Sequence, residues 1–68
     1  MKISARNQLT GKVVDIKEGA VIALVVVDIG DGKHITSTIS IEALKDLEIE
    51  VGREVTAVIK SSSVMLLA

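Results

Sequence analysis

Apolar and polar positions alternate along most of this chain with the two-residue period of a β-strand, and turn residues interrupt the alternation at regular intervals. Lys12 to Ile16 forms a first strand-sized piece, and Lys17-Glu18-Gly19 turns the chain. Ala20 to Ile29 then runs into Asp31-Gly32, a pair suited to a two-residue hairpin, and His34 to Ile41 makes the third strand of a meander. Ser40 is placed to cap a short helix reaching about Leu47, with Glu42 in its first turn and Lys45 three residues on. Glu50-Val51-Gly52-Arg53 turns the chain again. Glu54 to Lys60 alternates as a fourth strand, and Val64 to Leu67 makes a short fifth. Three strands, a helix and two more strands is the order of an all-β, five-stranded OB-like Greek-key barrel with one short helix between strands 3 and 4. Residues 1–68 read as a single domain.

The second strand breaks the alternation. Val21-Ile22-Ala23-Leu24-Val25-Val26-Val27 is apolar at every position, so both faces need covering, whereas a barrel interior covers only one. A domain of this size buries only about 60% of its unfolded surface. Its core is therefore thin, and burial of the outer face against another copy is expected. Ten Val, nine Ile and no aromatic residue favour strands that pack through aliphatic side chains.

Composition narrows the function. There is no Cys, so there is no disulfide or thiolate metal site, and the single His34 cannot build a zinc site. The net charge is −1, from eight basic and nine acidic residues scattered along the chain. A nucleic-acid-binding barrel would need a basic groove and aromatic stacking platforms, and neither is present. The longest apolar run, Ala20 to Val27, is too short to span a membrane, and the first residues lack a signal-peptide hydrophobic segment. A soluble cytoplasmic protein is expected.

Strand parity shows where the remaining polar residues point. Leu9, Gly11 and Val13 share one face of the first segment, while Ser4, Arg6, Gln8, Thr10 and Lys12 share the other. In the fourth strand Val55, Ala57 and Ile59 lie opposite Thr56, Val58 and Lys60. If the apolar faces line the interior, Ser4, Arg6 and Lys60 all project outward, and Ser61-Ser62-Ser63 follows Lys60 directly. Two readings of these residues stand. They are solvated strand-end cations beside an ordinary turn, or they are a donor set of hydroxyls, amides, one guanidinium and one ammonium suited to a tetrahedral dianion.

Other features carry less. Gly30-Asp31-Gly32-Lys33 lacks the spacing and the following helix of a phosphate-binding loop and reads as a hairpin. Asp15, Asp28 and Asp31 are too scattered to act as paired acid and base, and no nucleophile has a base beside it. The chain is not expected to be an enzyme or to carry a catalytic cofactor.

Three segments, MKISARNQLTGKVV, ITSTIS and AVIKSSSVML, closely resemble the molbindins, small molybdate-binding Mop proteins whose domain also occurs in molybdate-responsive regulators and transporter ATPases. The resemblance spans essentially the whole chain. It implies an OB-like barrel assembled as a homo-hexamer, a trimer of dimers, that stores and buffers molybdate or tungstate at subunit interfaces inside the cell. Ser4, Ala5 and Arg6 match one half of the family's oxyanion site, and Lys60 and Ser61 match the other half, which another subunit supplies. No metal ion is ligated directly. A further site on the three-fold axis is implied, for which the Gly19-Ala20-Val21 backbone is the candidate. The chain departs from the family at Thr10, where Lys is common, and at Asp31 and His34, which changes the charge around the site without touching the residues proposed to hold the anion. A second functional reading is an assembly or regulatory module that senses the oxyanion without storing it.

Overall fold

The computed structural model describes residues 3–68; the first two residues of the 1–68 unit lie outside them. The described chain folds into β1 (Asn7–Glu18), β2 (Ile22–Gly30), β3 (Lys33–Ser40), a helix α1 (Ile41–Asp46), β4 (Glu54–Ile59) and a 3₁₀ turn (Ser61–Ser63). The four strands make one antiparallel sheet in the order β3-β2-β1-β4.

The sheet curls because β1 serves two partners. Asn7 to Lys12 pairs with β4, and Lys12 to Glu18 pairs with β2, so Lys12 belongs to both ladders. At Gly11, one step earlier, a Cβ would lie 2.2 Å from the Asp28 carbonyl oxygen, and only glycine allows β1 to run this close to β2. The strand expected from Lys12 thus begins five positions earlier, at Asn7. The polar residues Gln8, Thr10 and Lys12 of its first half form the outward face of a paired strand. A bulge at Val14 moves the register from Val13 opposite Val27 to Asp15 opposite Val26. Parity is reversed there: Val13 is 1% exposed, and beyond the bulge Ile16, not Asp15, packs on the core.

The turns follow local chemistry. Asp31 and Gly32 hold φ of 53° and 71°, the positive values that a two-residue hairpin of this kind requires. The Ser40 hydroxyl accepts the Ala43 N–H at 3.0 Å and caps α1, as expected. At the other end Arg53 donates to the carbonyls of Leu47 at 2.9 Å and Glu48 at 2.6 Å, which ties the helix end to the start of β4. Leu44 of α1 joins Val13, Ala23, Val25 and Val27 in an all-aliphatic core, and no polar side chain is buried among the described residues. On the outer face of β2, Leu24 and Val26 are half-buried, while Val21 and Ile22 at its start stand largely exposed.

The expected fifth strand does not form. After the 3₁₀ turn, Met65, Leu66 and Leu67 are 92%, 95% and 100% exposed. A strand needs an edge with which to pair its N–H and C=O groups. The edges of this sheet are β3 and β4. They flank an apolar groove of about 380 Å³, lined by Ile35 and Ile39 on one side and by Val55, Ala57 and Ile59 on the other. The segment 64–67 stays outside that groove, so the sheet is curled but not closed.

Candidate oxyanion site

Inward–outward alternation extends beyond β1 toward Ser4. Ala5 is 5% exposed, whereas its neighbours Ser4 and Arg6 are exposed. On β4, Val55, Ala57 and Ile59 are half-buried and the following Lys60 is exposed. Both sets point as parity requires.

The β1–β4 register then brings both sets to one ladder end within a single chain, whereas the resemblance implies that Lys60 and Ser61 reach Arg6 from another subunit. Asn7 pairs with Ile59 as the last rung of this ladder. One step further along each chain direction come Arg6 and Lys60, and one further still come Ala5 and Ser61. Like charges directly opposite each other destabilise a ladder. Pairing stops at the rung before the two cations would face one another. Neither has a carboxylate partner: among the described residues the ion pair is Arg53 with Glu48, at 3.8 Å.

Backbone donors complete the set. Lys60 is extended, with φ −64° and ψ 140°, and leads into the 3₁₀ turn, in which Ser63 N–H donates to the Lys60 carbonyl at 2.9 Å and Val64 N–H to that of Ser61 at 3.2 Å. The N–H groups of Ser61 and Ser62 donate to no backbone carbonyl among the described residues, as is usual in the first turn of a helix. Two cations, the hydroxyls of Ser4 and Ser61 and these free amides thus lie near one ladder end, a candidate set rich in donors. A tetrahedral dianion matches it in charge and in hydrogen-bonding sense. Hydrogen phosphate would bring a proton for which this set offers only the serine hydroxyl oxygens as side-chain acceptors.

Gly19, Ala20 and Val21 are not part of this cluster. They form the loop between β1 and β2, at the far end of β1 from Arg6. Gly19 N–H already donates to the Ile22 carbonyl at 2.8 Å, and the Val21 carbonyl accepts Ile41 N–H at 2.9 Å, which places the loop beside α1. Thr10 lies on the outer face of the same ladder as Arg6, its hydroxyl 3.0 Å from that of Thr56. Asp31 is in the β2–β3 hairpin and His34 is the second residue of the strand beyond it, both exposed.

Parity alone missed one residue. Asn7 shares the inward parity of Leu9, Gly11 and Val13, and it is half-buried, yet it is polar. A polar residue on an apolar face is the signal of a specific partner. Here the Asn7 side-chain amide donates to the Ile59 carbonyl at 3.2 Å.

Among the described residues no group of three His, Cys, Asp or Glu side chains is placed to hold a metal ion, and no helix is long and apolar enough to cross a membrane. The TOBE-domain family model matches residues 3–66. A probable molybdenum-pterin-binding protein of Haemophilus influenzae is 58% identical over 66 residues, covering 97% of this chain and 96% of its own. Among solved structures, a molybdate-binding protein from Sporomusa ovata superposes with a TM-score of 0.94 at 37% identity over the full length of both chains. The cytoplasmic molybdate-binding protein ModG, with molybdate bound, superposes with a TM-score of 0.87 at 43% identity, over 90% of this chain and 43% of its own.

Proposed function

Since the chain belongs to the TOBE-domain family and is a molbindin-type molybdate-binding protein, we propose that it holds molybdate between Arg6 and Lys60, with the Ser4 and Ser61 hydroxyls and the Ala5 and Ser61 backbone around it. Tungstate, alike in shape and charge, fits the same donors. The observation that carries this reading is the β1–β4 register, which places two unpaired cations at one ladder end beside free amides and hydroxyls. Residues 1–68 act as one binding domain. Its role is storage and buffering of the anion in the cytoplasm, without catalysis and without a catalytic cofactor. That role agrees with relatives named as binding proteins and with a structural neighbour described as cytoplasmic.

The working form is a homo-oligomer, the hexameric trimer of dimers that the family resemblance implies. Support comes from two halves of one unmade contact. The groove between β3 and β4 is apolar and open, and Val64–Leu67 is apolar and exposed. Seated in the groove of a second copy, this segment would pair with free strand edges and complete a five-stranded barrel. The turn 61–63, three residues long, would then lie at the boundary between copies, which brings the anion site to a subunit interface.

Equilibrium dialysis against molybdate and sulfate tests the function. Each charge-assisted hydrogen bond is worth about 1.5–3 kcal/mol, so Arg6→Ala and Lys60→Ala should each weaken molybdate binding by roughly 10- to 150-fold. Retention of full affinity by both variants would overturn the site. Storage requires about one anion or more per chain with no partner protein present; far fewer would favour the sensing module.

A further inference from the structure

We propose that Asn7 is a positioning residue for the anion site: its side-chain amide fixes the two cations relative to each other without itself touching the ligand. This rests on the reading of Arg6 and Lys60 given above. Asn7 is bonded covalently to Arg6. Its amide donates to the Ile59 carbonyl at 3.2 Å, and that carbonyl belongs to the peptide unit that leads into Lys60. One side chain therefore links the backbone at both cations, on the last rung of the ladder. Beyond that rung backbone pairing between β1 and β4 has stopped, and like charges facing each other there would repel.

The position of Asn7 also sets it apart from an ordinary strand polar residue. It lies on the inward face and is half-buried, so it is not an outward donor of the kind that Ser4 offers. Without it, the ends of β1 and β4 splay to relieve repulsion, and the anion must draw them back before both cations can bind it. A pre-organised site binds without that step.

The test compares Asn7→Ala and Asn7→Asp with Thr56→Val, in the full chain. Thr56→Val breaks the Thr10–Thr56 hydroxyl contact three rungs along the same ladder and serves as the control for general weakening. Asn7→Asp keeps the side-chain shape while removing the donor and adding a negative charge, so it remains informative if Asn7→Ala folds poorly. Molybdate affinity is read by equilibrium dialysis and the anion-free thermal midpoint by circular dichroism. The expected result is a loss of affinity of at least tenfold for both Asn7 variants and less than twofold for Thr56→Val, with similar midpoints for all three. In a Lys60→Ala background, where there is no second cation to position, Asn7→Ala should cost twofold or less. A purely structural Asn7 would lower the midpoint and leave affinity alone, and that outcome, or equal additional losses in both backgrounds, overturns the proposal. If the unaltered chain binds no molybdate, the functional reading itself falls, and the positioning role with it.

Discussion

Replacing Gly11 with alanine would put a Cβ 2.2 Å from the Asp28 carbonyl oxygen, 2.9 Å from its carbon and 2.9 Å from Val27 Cγ1. Two of these three atoms are backbone, so no side-chain rotation relieves the clash. Strand β2 would have to retreat from β1 by about 1 Å at the rung that pairs Lys12 with Asp28, beside the buried pair Val13 and Val27. Overpacking of this kind costs about 1–3 kcal/mol. Loss of one or two ladder hydrogen bonds adds about 1 kcal/mol each, which makes the expected total about 3 kcal/mol. A domain of this size has only about 3–10 kcal/mol of stability in all. At about 4–8 °C per kcal/mol, the thermal midpoint should fall by roughly 12–24 °C. Gly30→Ala is the informative comparison: Gly30 has φ +105° but nothing within 4 Å of an added Cβ, so it isolates conformational strain from steric conflict. It should cost about 1–2 kcal/mol. Thermal melts at fixed protein and anion concentration would measure both, because oligomerisation and ligand each shift the midpoint. A fall below about 5 °C for Gly11→Ala would show that β1 and β2 separate easily at this rung, and the account of the curl would be wrong.

Two further outcomes are expected. In Met65→Asp/Leu66→Asp the exposed segment keeps its length but places a carboxylate in the apolar groove whichever residue faces inward; light scattering should then give a monomeric mass, and an unchanged oligomer would exclude this segment as the contact. Ser40→Ala removes the acceptor of the Ala43 N–H and should cost about 1 kcal/mol in urea unfolding, with Ser40→Asp restoring most of it; no measurable loss would mean that packing of Leu44 alone holds the helix.

Features set by neighbouring residues were legible in the sequence. The Asp31-Gly32 hairpin and the Ser40 cap depend on two to four residues with distinctive backbone needs, and both stand where expected. The outward face of Ser4, Arg6 and Lys60 was legible too, because period-two alternation continues through these positions. Features set by the approach of distant segments were not. The close passage of β1 over Asp28 and the bulge at Val14 arise from β1 changing partners at Lys12, and no local pattern marks such a change. The absent fifth strand has a related cause. Val64–Leu67 carries the apolar character of a strand, but apolarity does not say whose edge the strand will join. Asn7 could have been found: a polar residue on the inward parity needs a partner, and Ile59 supplies it.

The fold also restricts where a dianion could sit, independently of any resemblance. The interior is aliphatic, with no buried polar side chain among the described residues, and an unpaired dianion there would lose its hydration with nothing to replace it. The middle of the sheet offers no free backbone donors, since its N–H groups are engaged in ladders. Free amides occur along the β3 and β4 edges and where ladders end. The loop 19–21 and the 3₁₀ turn 61–63 are two such places, but the first lies beside Glu18 and brings no cation at positions 19–21. Among the described residues, the second is where free amides and the Ser61 hydroxyl adjoin the ladder end that Arg6 and Lys60 flank. Ending the β1–β4 ladder one rung before Arg6 and Lys60 leaves a gap between like charges, and a doubly negative tetrahedral anion is the ligand that would relieve it.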